Sequence, residues 1–183
     1  MRILVGIAGS SGAVFGVRFL KRCPGEKYLI VSGWGERVLE MEMGLNLESL
    51  AAHAKRVYPD TDLAAPFASG SNRYDAFVII PCSLSTLAKI ASGIADTLMT
   101  RAAQVSLKER MKLVLAVRET PLSSVALENA LKLSREGVVI MPVSPPWYKS
   151  PKSMDDVVDG FIDKVLMVLG VDVPGGWRSK ELE

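Results

Sequence analysis

The chain has 183 residues, 49% of them hydrophobic and 23% charged, and a formal net charge of +2. This is enough for one domain with a substantial core and is ordinary globular usage, which excludes a mainly disordered chain. The near-balanced charge, with no basic run, gives no reason to expect nucleic acid, and no apolar stretch approaches the length of a membrane span.

Two cysteines, Cys23 and Cys82, have neither the number nor the spacing of a disulfide scaffold or a zinc site. Free thiols in a reducing, cytoplasmic setting are expected, because the N-terminus enters a strand with a single Arg and does not read as a signal peptide. A single domain over residues 1–171 is expected, followed by a tail over 172–183.

Ile3 to Ile7 is a short, mostly β-branched apolar run, the pattern of a strand covered on both faces. Gly9 and Gly12 then allow a tight turn, and Ser10 or Ser11 can cap the following helix, whose free N–H groups favour a phosphate. The turn lacks the Lys of a P-loop. Its glycine spacing and the end of the second strand, Ile30-Val31-Ser32-Gly33, depart from the dinucleotide fingerprint, so a mononucleotide fits better than NAD.

Val14, Val17 and Leu20 share one face of the first helix, which ends before Pro24-Gly25. Tyr28 to Val31 is the second strand, and Ser32 lies at the same carboxyl edge as the first turn. Gly33 to Met43 reads as a helix carrying Glu36, Glu40 and Glu42. Asn46 to Lys55 is a second short helix, with His53 given no role. Val57 to Ala65 is mixed and turn-rich, and Pro66 to Asn72 is a loop of small residues that either covers a ligand or only connects.

Ala76 to Ile80 is the clearest strand, running through Pro81-Cys-Ser-Leu-Ser-Thr86 into a helix over Leu87 to Ala91. Ser83, Ser85 and Thr86 repeat the logic of the first turn, and Cys82 reads as packing because no base accompanies it. In the helix Leu98 to Arg110, Arg101 and Lys108 are seven residues apart and can hold a phosphate together. A strand over Met111 to Val117 ends in Arg118-Glu119, a charged pair at the end of a buried strand and the best catalytic candidate. Thr120 as cap and Pro121 at the first helical position then start a helix over Leu122 to Ser134.

The last strand is Val138 to Met141, followed by a stiff proline-rich loop with Trp147 and Tyr148 and a helix from about Ser153 to Leu169. Asp155, Asp156 and Asp159 spell a D-D-x-x-D pattern, but acids in a first turn are favoured by the helix dipole, so no metal site is assigned. Alternating strands and helices predict an α/β, three-layer doubly wound fold, Rossmann-like or flavodoxin-like, with a mostly parallel sheet.

Gly9-Ser-Ser-Gly-Ala13, Ala68-Ser-Gly-Ser71, Pro81-Cys-Ser83, Ala91-Ser-Gly93, Ala95-Asp96, Arg101-Ala-Ala103, Leu107-Lys-Glu-Arg110, Arg118-Glu-Thr-Pro-Leu122, Leu127-Glu-Asn129 and Val138-Val-Ile-Met-Pro142 together resemble the UbiX-like flavin prenyltransferases over almost the full length. The resemblance implies a metal-independent enzyme that joins a dimethylallyl unit from dimethylallyl phosphate to N5 and C6 of reduced FMN, for use by a UbiD-type decarboxylase. It implies FMN contacts at Gly9, Ser10, Ser11, Ser32, Ser83, Leu84, Ser85, Thr86 and Arg118. Donor-phosphate contacts fall at Arg101, Lys108, Tyr148 and Lys164, and catalytic roles at Glu119, Glu42 and Ser11. A homo-oligomer, often a dodecamer, is also implied.

Four positions depart from the pattern: Ser10 where Ala is frequent, Gly33-Trp34 where Lys-Ala is common, and Lys164 where Arg often stands. An FMN-dependent cysteine-decarboxylase type is the first alternative, but it needs a His after the first strand and a Pro-Ala-Ser-Ala-Asn-type turn. A non-catalytic flavin-binding subunit is the second.

Overall fold

The computed structural model describes residues 1–174 and Arg178, so the expectation for the rest of the tail, Trp177 included, falls outside the described residues. The chain divides into two compact units, residues 1–142 and 143–183.

In the first unit, β1 (Arg2–Ile7), β2 (Glu26–Val31), β3 (Arg56–Pro59), β4 (Ala76–Cys82), β5 (Lys112–Val117) and β6 (Val139–Pro142) form one sheet in the order β3-β2-β1-β4-β5-β6. Every pairing is parallel. The intervening helices are α1 (Ala13–Arg22), α2 (Gly33–Met43), α3 (Leu47–Ala51), α4 (Leu84–Ala91), α5 (Leu98–Lys108) and α6 (Ser124–Arg135). The chain moves outward from β1 to β3, returns to β4 beside β1, and then moves the other way. Right-handed crossovers therefore put helices on both faces and create a switch point where the ends of β1 and β4 diverge.

Both sheet faces are apolar, as a doubly covered sheet requires. Leu4, Ile30, Phe77, Ile79, Leu113 and Leu115 pack in one core with Leu87, Leu98, Met99 and Ala102 of α4 and α5. Their neighbours Ile3, Val5, Ile7, Val78 and Ile80 point the other way and are also buried. All seven residues of β4 are buried.

Several boundaries differ from expectation. β3 was read as turn-rich because it has only four residues and ends in Pro59. It is an edge strand, where a missing N–H is tolerated, and its Tyr58 is buried in the core beneath Arg56. α3 stops at Ala51, short of the expected Lys55. α4 starts at Leu84 because Ser83 accepts from the N–H of Thr86 at 3.2 Å. α6 is capped by Ser123, which accepts from Ala126 N–H at 3.3 Å; Thr120 and Pro121 lie in the preceding turn.

The second unit contains a 3₁₀ turn over Trp147–Lys149 and helix α7 (Met154–Val168). Ser153 and Asp156 form a reciprocal capping box at its start, so Asp156 serves the helix N-terminus. Lys149 and Asp163 pair at 2.5 Å, both largely buried. Among the described residues, no helix is long and apolar enough to cross a membrane.

Candidate functional site

The carboxyl edge of the first unit carries a cavity of about 620 Å³ beside the switch point. Two helix starts open onto it. Ser32 caps α2 by accepting from Gly35 N–H at 3.0 Å, and Ser83 caps α4 while its hydroxyl also meets that of Thr86 at 3.0 Å. The remaining N–H groups and the positive dipole ends of both helices favour an anion there. Gly9, Ser32, Ser83, Ser85 and Thr86 of the expected set line this cavity together, and Lys89, one turn along α4 and paired with Asp96 at 2.6 Å, lies on the same wall.

The cavity also has a wall that sequence reasoning missed. Asp60, Thr97, Met99 and Thr100 line it, with Arg37 from α2; Trp34, marked in the sequence only as a departure from the family pattern, lies beside them. Asp60 Oδ1 accepts from Met99 N–H at 2.8 Å, and its carbonyl from Leu98 N–H at 2.7 Å, which ties the end of β3 to the start of α5. Burial raises the Asp60 carboxyl above its ordinary value; the Met99 N–H and the Thr97 hydroxyl pull against that rise. Thr97 and Thr100 cap α5 reciprocally. The Thr-x-x-Thr spacing before α5 was the available signal for these two residues.

The first turn is built differently from expectation. Gly12, at φ 94° and ψ 33°, occupies the cap position of α1 in the left-handed region, where no serine cap forms. Ser10 and Ser11 therefore do not cap the helix. Ser10 is buried and donates its hydroxyl to the carbonyl of Arg118 at 2.7 Å, fastening the turn to the end of β5. The anion at the start of α1 is the carboxylate of Glu42, which accepts from Gly12 N–H at 2.9 Å and Ala13 N–H at 2.9 Å. Partial burial pushes the Glu42 carboxyl up, but the Ser11 hydroxyl, the two backbone N–H groups and nearby Arg118 outweigh it and hold it below its ordinary value.

The other expected residues are spread over neighbouring positions. Arg118 is half-buried at the end of β5, with its N–H on Cys82 O at 3.2 Å; Glu119 is exposed, and its carboxylate accepts from Thr120 N–H at 3.1 Å. Burial, expected to make this charged pair costly, therefore applies to Arg118 and not to Glu119 within this chain. Leu84 is half-buried against the core. Arg101 donates from Nε to Ala68 O at 3.0 Å, and Lys108, paired with Glu109, lies beside Gly70. Both cations of α5 thus face the small-residue loop. Tyr148 and Lys164 belong to the second unit, and both are exposed. Cys23 and Cys82 are buried free thiols, and burial lifts Cys82 to about 12, consistent with packing.

Comparison with known proteins places this architecture. The Flavoprotein family model matches residues 1–166. The flavin prenyltransferase UbiX of Thermoplasma acidophilum is 46% identical over 172 residues, covering 93% of this chain and 96% of that protein. The chain belongs to the UbiX-like flavin prenyltransferases. Two solved structures of related proteins superpose closely. AnUbiX (PadA1), in complex with FMN and dimethylallyl pyrophosphate, has a TM-score of 0.91 at 38% identity, over 97% of this chain and 98% of its own. A dodecameric FMN-dependent UbiX-like decarboxylase from Escherichia coli O157:H7 has a TM-score of 0.93 at 41% identity, over 97% and 99%.

For a UbiX-like flavin prenyltransferase, the chemistry of the cavity wall fits a flavin mononucleotide. It offers two capped helix starts for a phosphate, hydroxyls and a carboxylate for a polyol chain, and one indole for a planar ring.

Proposed function

We propose that this protein binds reduced FMN in the carboxyl-edge cavity and transfers a dimethylallyl unit from dimethylallyl phosphate or pyrophosphate to flavin N5 and C6. The observation that carries this is the opening of the α2 and α4 starts onto one cavity of about 620 Å³ in a chain of this family. FMN supplies, when bound and reduced, the nucleophilic ring atoms that accept the prenyl unit.

The start of α4 holds the flavin phosphate through its backbone N–H groups and the hydroxyls of Ser83, Ser85 and Thr86, and Ser32 at the start of α2 contacts the rest of the flavin. Arg101 and Lys108 take the donor phosphate, whose charge grows as its allylic C–O bond breaks, and fixed cations stabilise that charge without a metal. Tyr148 and Lys164 are assigned to a donor phosphate by the family resemblance. Glu119 moves a proton. Ser11 holds one in place, oriented by Glu42, and Arg118 lies over the same turn.

The match of the family model to residues 1–166 supports treating 1–171 as one flavoprotein domain. The protein works in the cytoplasm as a homo-oligomer, and its product serves a UbiD-type decarboxylase. Exposed Val125, Leu127 and Leu131 on α6 support assembly.

The test is to mix the protein with reduced FMN and dimethylallyl phosphate in the presence of a chelator and follow flavin products by mass and absorbance. A flavin heavier by one prenyl unit is expected, with the chelator making no difference. A protein that binds NAD tightly and FMN not at all would overturn the proposal.

A further inference from the structure

Trp34 is the second residue of α2 and lines the cavity, yet it is 74% exposed. It is the single aromatic side chain among the residues that line the cavity. A packed Trp ordinarily buries a large area, so an indole left open on a cavity wall is positioned for something the protein alone does not supply. Its backbone seat is built: a Cβ placed on Gly9 would overlap the Trp34 Cβ, so the glycine of the first turn is what lets Trp34 lie against it. Gly33 precedes it, and a Cβ there would meet nothing within 4 Å, so its bareness is not required by packing. The α2 start thus offers backbone N–H groups and one flat apolar surface, side by side.

We propose that Trp34 is a flavin-contacting residue whose indole packs against the isoalloxazine ring and so sets flavin affinity. This rests on the FMN assignment of the cavity. The polar groups of the wall, Ser83, Ser85 and Thr86, come from the α4 start and suit the phosphate end of the ligand. Trp34 supplies the surface that a large planar ring needs, and stacking of this kind with an open face tolerates either redox state of the flavin.

The test titrates FMN and riboflavin against the parent protein, Trp34→Ala and Trp34→Phe, reading intrinsic fluorescence and the flavin absorbance band. The parent should bind FMN with strong quenching of tryptophan emission. Trp34→Ala should bind FMN about 10-fold more weakly, by analogy with ring stacking on aromatic side chains. It should weaken riboflavin by the same factor, and Trp34→Phe should recover most of the affinity. Because Trp34 is exposed, circular dichroism and melting of the variants should match the parent.

Parent-like FMN affinity and flavin spectrum in Trp34→Ala would overturn this inference alone, leaving the assigned activity standing. A loss for FMN but not for riboflavin would overturn the ring contact by moving the indole to the phosphate end. A parent that binds no FMN would overturn the functional assignment itself, and this inference with it.

Discussion

The starts of α1 and α4 look alike in sequence, since each follows a buried strand through a turn of small hydroxyl residues, yet they end differently. At α4, Ser83 caps the helix with its own side chain and the remaining N–H groups face the cavity. At α1 the cap position is a left-handed glycine, the serines turn elsewhere, and Glu42 fills the anion seat from another helix. The same local physics thus yields a ligand-facing helix start in one place and a self-satisfied one in the other. What separates them is a carboxylate thirty residues away along the chain.

The largest expected effect lies at the strand end that touches both turns. Arg118 donates to Cys82 O just before the α4 start, and its carbonyl accepts from Ser10 in the first turn. Glu119 follows it. Glu119→Gln should preserve folding and FMN binding while lowering the rate of prenylated-flavin formation by roughly 10²- to 10⁴-fold, the usual contribution of a proton-transfer group. Stopped reactions analysed by mass would show this. Turnover at the parent's rate would make Glu119 a surface acid and shift the proton transfer to the donor phosphate.

Ser83→Ala tests the ligand-facing half of the comparison. Loss of the cap should cost about 1 kcal/mol of stability, measured by urea unfolding. FMN affinity should fall as well, because the same hydroxyl and the N–H groups it organises face the cavity. A variant that loses stability but binds FMN as the parent does would mean that α4's start is capped for folding alone.

Much of the architecture was legible in the sequence because its signals are local. The apolar run Ala76 to Ile80 marked β4, Ser153 and the acids after it marked the start of α7, and Gly33 to Met43 was read with the bounds it has. The hydroxyl turns were legible only in part: hydroxyls do gather at the start of α4, where Ser83 is the cap, but Ser10 and Ser11 do not cap α1, and Ser123 rather than Thr120 caps α6. What could not be read was set by tertiary approach. Asp60 reaches the cavity only because the short edge strand β3 ends beside α5, and Glu42 reaches α1 only because α1 and α2 pack together. Neither contact leaves a spacing in the chain. Lys89 was closer to hand: had α4 been started at Leu84, Ser85 and Lys89 would have fallen on one helix face, four residues apart.

The smallest expected effect tests the self-satisfied half. Glu42→Gln keeps an oxygen for the Gly12 and Ala13 N–H groups and removes only the charge, so it isolates the interaction of a carboxylate with a helix N-terminus. That is worth roughly 0.3–1 kcal/mol in exposed positions, and solvent screening of this exposed side chain favours the low end. The pH dependence distinguishes charge from shape. The Glu42 carboxyl is held below its ordinary value in the folded protein, so the unfolded chain takes up a proton first as pH falls. The stability it contributes is complete above the ordinary carboxylate range and is lost as pH falls through the depressed folded value. The parent should therefore melt slightly above Glu42→Gln near neutral pH, with the gap closing in acid. A gap that is constant with pH would mean that Glu42 acts by hydrogen-bond geometry alone, and that the start of α1 has no preference for an anion.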